Sequence, residues 1–201
     1  MSLPGLDSQM KMAAVERLVE MQQVSLSDRK PRKASVMMLI YPKDDIAHFV
    51  LIERAQTKGK HSGQIAFPGG RREPEDQDAA ATAVRETWEE IGVHPKYQEV
   101  VKASTPLYIP PSNYMVYPFI AFAKAQPTFK AQPSEVNSIL EIPLQLLLEE
   151  ESINSVELST SYMDKVKVPC FYFGTTMVWG ATAMMLYEIK EMLKASLAHG
   201  R

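Results

Sequence analysis

Of 201 residues only one is a cysteine, Cys170, which excludes an internal disulfide and any multi-cysteine metal centre. A buried structural thiol is the ordinary use of such a residue. An excess of one charge is also missing. Lysine and arginine number 22 against 24 aspartate and glutamate, a formal net charge of -2, so the chain as a whole has no cationic footprint for a nucleic acid. No basic stripe interleaves with aromatics, and no nucleic-acid partner is expected. Long apolar runs are absent too: none approaches the roughly 18 residues of a membrane-spanning helix. The opening MSLPGLDSQMKMAAVERLVEMQ has no long apolar core either. The expectation is a soluble, cytoplasmic protein without a membrane partner.

What is present suffices for an ordinary core. Hydrophobic side chains make up 45% of the chain and charged ones 23%, which suits one domain over residues 1–201, with 1–30 as an N-terminal helical extension. Residues 8–23 have helical spacing, and Met10, Ala14, Leu18 and Met21 line up as one apolar stripe. That stripe covers either the domain itself or a second subunit, so a homodimer and an intramolecular cover both stay open. Residues 34–41 and 48–53 read as strands joined by a Pro42, Lys43, Asp44, Asp45 turn. A short strand over 64–67 runs into a turn at Pro68, Gly69 and Gly70. Asp76 or Asp78 caps a helix that continues to about Ile91, where Gly92 stops it. Residues 98–103 and 115–122 are strand candidates, separated by a loop containing Pro106, Pro110 and Pro111. A short helix over 141–150, a strand over 167–173 and a terminal helix over 182–197 complete the pattern. Strands separated by helices indicate an α/β fold, a sheet covered by helices.

The chemistry concentrates on one predicted helix. Glu86, Glu89 and Glu90 are spaced by three and four positions, so a helix makes them neighbours on one side. Three carboxylates held this close repel one another, and a hard divalent cation offsets that repulsion while bridging phosphate oxygens. Arg85 can pair with Glu89 one turn on. Ala80, Val84, Thr87 and Ile91 make a small or apolar side that anchors the helix to a sheet. A solvated acidic face would account for the glutamates alone. The preceding Pro68, Gly69, Gly70 segment shifts the balance, because glycines allow a close backbone approach and a loop before a helix can direct backbone groups at phosphate or metal.

FPGGRREPEDQDAAATAVRETWEEIGV, with GG followed by RETWEEIGV, resembles the signature box of the Nudix hydrolases. Counted from Gly70, Asp76 stands at the first acidic position and Arg85 arrives one residue late. That extra residue resembles the subgroup that includes coenzyme A diphosphatases. Arg54, His61 and the GQ-x-x-FPGG run of Gly63, Gln64, Phe67, Pro68, Gly69 and Gly70 resemble the segment preceding the box there. The resemblance implies a Nudix fold, a mixed β-sheet sandwiched between helices. It also implies a pyrophosphatase that uses Mg2+ or Mn2+ on a small-molecule nucleoside diphosphate derivative. Coenzyme A or an acyl-coenzyme A is the leading substrate. ADP-ribose, NADH or another nucleoside diphosphate derivative is the alternative, and a non-catalytic nucleotide-sensing or interaction module the second.

Residue by residue, the resemblance makes Glu86, Glu89 and Glu90 metal ligands and catalytic groups, with the Gly69 carbonyl as a further ligand. Glu135 matches a later acidic position that serves as ligand or base, although an exposed loop carboxylate fits it too. Asp76 is either a peripheral metal contact or a helix cap, with Glu73 a nearby alternative. Arg54, Lys58, Lys60, His61, Gly69 and Gly70 form the expected substrate-binding set. The paired donors of Arg54 suit phosphate, and Lys58 and Lys60 make that approach locally positive. Tyr108, Tyr114 and Tyr117 contact an adenine or pantetheine arm or fill the edge of the core. Packing is the ordinary reading of Trp88 and Trp179.

Overall fold

The computed structural model describes residues 3–22, 29–56, 63–160 and 163–199. They fall into two compact units, one of Met1–Lys30 with Leu146–Arg201 and one of Pro31–Gln145.

In the first unit the expected N-terminal helix is two, α1 (Leu6–Met10) and α2 (Val15–Gln22). The break is a matter of burial: Met12, Ala13 and Ala14 are buried in the connection between them, and tertiary packing overrides a helical preference that no glycine or proline interrupts. Of the expected stripe, Ala14 joins a small core with Val166 and Val168, against which Trp179 packs. Val15 and Val19 of α2 are exposed.

The second unit is built on an eight-stranded mixed sheet. Its central strand, β1 (Arg32–Lys43), carries the run VMMLIY, of which every residue but the half-buried Val36 is buried, as the middle of a strand covered on both faces must be. β1 pairs antiparallel with β2 (Ile46–Arg54) across a two-residue turn, where Asp44 and Asp45 both take positive φ, the hairpin conformation that short polar residues tolerate. β3 (Ile65–Ala66) adds to β2. Gly69 and Gly70, expected in a turn, instead belong to a strand, β4 (Gly69–Arg71), antiparallel to β1. The reason is close approach. At φ +151 a β-carbon on Gly69 would stand 2.6 Å from the Val36 Cα, so only glycine lets this ladder form.

Helix α3 (Ala79–Ile91) packs on β1, β4 and β7 (Tyr114–Phe122), the last running parallel to β1. β5 (Glu99–Ala103) and β6 (Leu107–Ile109), which lies in the proline-rich stretch, both add antiparallel to β7. Of the helix expected over 141–150, residues 144–148 are helical as α4 (Leu144–Leu148), while 141–143 end a strand, β8 (Val136–Pro143), that pairs with β2. Proline keeps the residue before it extended, so Pro143 marks the change that the helical spacing of the leucines conceals. Met37, Leu39, Val50, Ile52, Ala83 and Ile91 form the centre of the core, each large side chain contributing about 1.5–3 kcal/mol on burial.

The chain returns to the first unit with β9 (Ile153–Thr160), β10 (Met163–Phe173) and β11 (Thr176–Trp179), a three-stranded antiparallel sheet in the order β11-β10-β9. Sequence spacing indicated only the second of these strands. Helix α5 (Gly180–His199) packs on β10, β11 and α1, and its buried Glu188 accepts hydrogen bonds from Gly5 N–H and Gln9 Nε2. Cys170 is a buried free thiol, and burial pushes its pKa up. The α/β architecture, a mixed sheet flanked by helices, is as the sequence implied. Among the described residues no helix is long and apolar enough to cross a membrane.

Candidate metal and diphosphate site

Two capping residues set the reach of α3. The Asp78 side chain accepts from the Ala81 N–H at 2.8 Å, and Gly92, left-handed at φ 77, closes the other end by donating to the Trp88 carbonyl. At 3.6 residues per turn, positions 82, 86 and 90 fall in one column and 83, 87 and 91 in the next, and all six are buried. The buried face is therefore shifted from the expected Ala80, Val84, Thr87, Ile91 side, and it includes two of the glutamates. Thr87 sits in the core because its hydroxyl donates to the Ala83 carbonyl at 2.7 Å.

Glu86 and Glu90 share a column and Glu89 lies in the one beside it, facing out with Arg85. Glu90 is 1% exposed, and its carboxylate accepts the Gly69 N–H at 2.7 Å and faces Arg54 Nη1 at 3.4 Å. Burial pushes its pKa up to about 8, against the pull of Gly69 and Arg54 and with the help of Glu86 and Glu135. Burial also raises Glu86, with Arg85 opposing. Glu86 lies against Gly70, where a β-carbon would come 2.6 Å from its carboxyl carbon. The two glycines thus serve the site separately. Gly69 lets β4 close on β1, and Gly70 leaves room for a glutamate.

Glu135 reaches the same place from far along the chain. The segment before it caps the exposed carbonyls at the end of α3, with Lys130 N–H on Ile91 at 2.9 Å and Gln132 N–H on Glu90 at 2.9 Å. Ala55, just past β2, donates to the Glu135 carbonyl at 2.8 Å. Pinned between helix end and strand end, Glu135 offers a carboxylate oxygen that lies with one each from Glu86 and Glu90 within 4.8 Å of one another. Two buried acids and one exposed acid so close fit a hard divalent cation, whose charge offsets both their repulsion and their lost hydration. Glu89 stands outside that trio, half-exposed and bound to Arg85 Nη1 at 2.8 Å.

Arg85 is the hub of the exposed side. It contacts Glu86 at 3.0 Å, reaches Asp76 through Nε at 2.9 Å and Nη2 at 3.0 Å, and donates to the Arg71 carbonyl. Asp76 is buried and also accepts from the Glu73 N–H and the Thr82 hydroxyl. The Arg85 guanidinium holds its carboxyl well below the ordinary range. Asp76 is thus an anchor for Arg85, while Asp78 is the cap. Lys58, Lys60 and His61 lie outside the described residues. Trp88 is half-exposed and tilts against His94, with ring centroids 5.4 Å apart. Tyr108 is buried and bonds Asn113, whereas Tyr114 lies under the Arg32 guanidinium at 4.3 Å. Resemblance marks Glu135, but spacing alone neither brings it to Glu86 and Glu90 nor gives Asp76 its anchoring role, because each depends on where a distant segment is tied down.

Comparison with known proteins is consistent with this geometry. The family model described as NUDIX domain matches residues 31–159. Nudix hydrolase 15, mitochondrial, of Arabidopsis thaliana is 32% identical over 165 residues, covering 78% of this chain and 57% of that protein. The chain thus spans little more than half the length of this plant relative. The Nudix hydrolase NudL of Photorhabdus laumondii is 28% identical over 170 residues, covering 84% of this chain and 88% of its own. Among solved structures, the Nudix hydrolase RenU from M. smegmatis shares the fold, with a TM-score of 0.57 at 14% identity, over 83% of this chain and 88% of that one.

Proposed function

The chain belongs to the Nudix family, and on that premise we propose that it hydrolyses the diphosphate bond of coenzyme A or an acyl-coenzyme A. The products are a phosphopantetheine derivative and adenosine 3',5'-bisphosphate. The observation that carries the chemistry is the convergence of Glu86, Glu90 and Glu135 beside the Gly69–Gly70 strand. The choice of coenzyme A rests on the one-residue expansion before Arg85 and on the HSGQIAFPGG segment.

Glu86, Glu90 and Glu135 would hold Mg2+ or Mn2+, with Glu89 alongside on the outer column and the Gly69 carbonyl as a further oxygen. A bound ion of this kind neutralises phosphate charge and makes water more acidic. The water oxygen attacks one phosphorus, the bridging P–O bond breaks, and the second phosphate leaves with the bond electrons. Glu135, the exposed carboxylate of the trio, accepts the proton and passes it to solvent. Arg54, about a third exposed, turns its guanidinium from Glu90 to the phosphate oxygens. Arg85 holds Glu86 and Glu89 in place through its anchor on Asp76. Lys58, Lys60 and His61 supply further phosphate contacts on the approach.

The test is a substrate panel in Mg2+ and Mn2+, with products identified, on coenzyme A, its 3'-dephosphorylated form, ADP-ribose and NADH. Faster turnover of coenzyme A is expected. Equal or better turnover of the other three removes the coenzyme A assignment and leaves a broader nucleoside diphosphate hydrolase. Folded protein with no metal-dependent turnover on any of the four indicates a nucleotide-sensing module instead.

A further inference from the structure

A second concave feature lies on the same unit. Arg32, Lys33, Arg71 and Arg72 line an open cavity of about 380 Å³ together with Glu73 and Pro74. We propose that this cavity is an anion site that takes a phosphomonoester. The backbone brings the four residues to one end of the β1–β4 ladder: Ala34 pairs with Arg71, and Arg72 N–H donates to the Lys33 carbonyl at 3.0 Å. Four cations thus share the lining with a single carboxylate, that of Glu73. Among the described residues none of the four makes an ion pair, with Glu73 or with any other acid, although Asp76, Glu86 and Glu89 all pair with Arg85.

Two of the guanidiniums are already oriented. Arg32 donates to the Ser112 carbonyl at 3.0 Å and stacks on Tyr114. Arg72 spans the Asp76 and Gln77 carbonyls at 3.2 and 3.1 Å. Each of these contacts is to a neutral carbonyl or ring, which holds the fork in place without pairing its charge. Arg71 and Lys33 complete the wall with exposed side chains. A phosphomonoester offers two negative charges and three acceptor oxygens, which forked guanidiniums and an ammonium satisfy together better than a single carboxylate does. Arg71 directly follows Gly70, against which Glu86 packs, so the cavity begins one residue from the carboxylate site. The group it takes is either a phosphate carried by the substrate at a distance from its diphosphate, which rests on the hydrolase reading above, or free phosphate.

Calorimetric titration of the full chain, stripped of divalent cations, with inorganic phosphate at low ionic strength tests the site apart from catalysis. One phosphate per chain is expected. The Lys33→Gln/Arg71→Gln variant, whose replaced side chains have no hydrogen-bond or ion-pair partner among the described residues, should bind at least about tenfold more weakly. Lys102→Gln, on β5, should bind as the unchanged protein does. No uptake by the unchanged protein, or equal uptake by the double variant, overturns the proposal even if coenzyme A hydrolysis stands. KM values then separate the sources. A rise in the double variant for coenzyme A but not for its 3'-dephosphorylated form supports a site for the substrate's own phosphate. Weakened phosphate binding with both KM values unchanged supports a site for free phosphate.

Discussion

Gly70 and Glu86 share one small volume, and that fact separates the two glycines at the level of single residues. In a Gly70→Ala protein the methyl group meets the Glu86 carboxyl head-on, so either the strand or the glutamate shifts. Because the atoms met are the movable end of Glu86, the expected stability cost is small, below about 1 kcal/mol, and the main effect is a loss of metal-dependent turnover. Thermal unfolding and initial rates measured on one preparation check it, and a variant as stable and active as the parent rules out the close packing. The glutamates differ in the same way. Glu90→Gln keeps the acceptor for the Gly69 N–H but halves the charge-bearing oxygens of the buried column. Its turnover in Mg2+ should fall by more than the roughly 10–100-fold typical of outer-shell changes. Glu89→Gln, which breaks one bond to Arg85, should stay within that range. Unchanged turnover in folded Glu90→Gln removes the residue from the site.

At the level of elements, what was legible in the sequence was what local chemistry decides. Asp78 and Gly92 bound α3 because a side-chain cap and a left-handed stop are local events. The spacing of Glu86, Glu89 and Glu90 likewise needs only the helical repeat. β4 and β8 escape a local reading because each depends on a partner: a glycine pair reads as a turn until β1 is beside it, and EIPLQLLLEE reads as helix until β2 pairs with its first three residues. Resemblance marks Glu135 as a ligand or base, but its place beside Glu86 and Glu90 follows only once the end of α3 ties its segment down. The Asp76–Arg85 pair joins the loop before α3 to its exposed face, and it has a pH signature. The folded protein holds Asp76 below the ordinary carboxylate range, so the pair's contribution is full above about pH 4 and is lost as pH falls further. Asp76→Asn should be less stable at neutral pH and less sensitive to acid. Denaturant midpoints between neutral and acid pH measure both, and parallel curves for the two proteins contradict the assignment.

For the molecule as a whole, the site and its supports fall inside one compact unit, Pro31–Gln145, so metal affinity and the stability of that unit are linked. Three carboxylates within 4.8 Å of one another, two of them buried, oppose folding when no cation balances them. Two consequences of opposite sign follow. Adding Mg2+ or Mn2+ should raise the unfolding temperature, by the equivalent of about 2.7 kcal/mol at a hundredfold excess over Kd. Replacing Glu86 and Glu90 together by glutamine should abolish that response, yet raise the unfolding temperature of the metal-free protein, because the amides carry no charge to repel or dehydrate. Thermal scans of the two proteins, each with EDTA and with metal, make a four-point comparison. A double variant less stable than its parent in EDTA means the glutamates are held by favourable contacts, such as the Gly69 N–H, rather than against their own repulsion. A parent that does not respond to metal means the trio is not a cation site, whatever its activity.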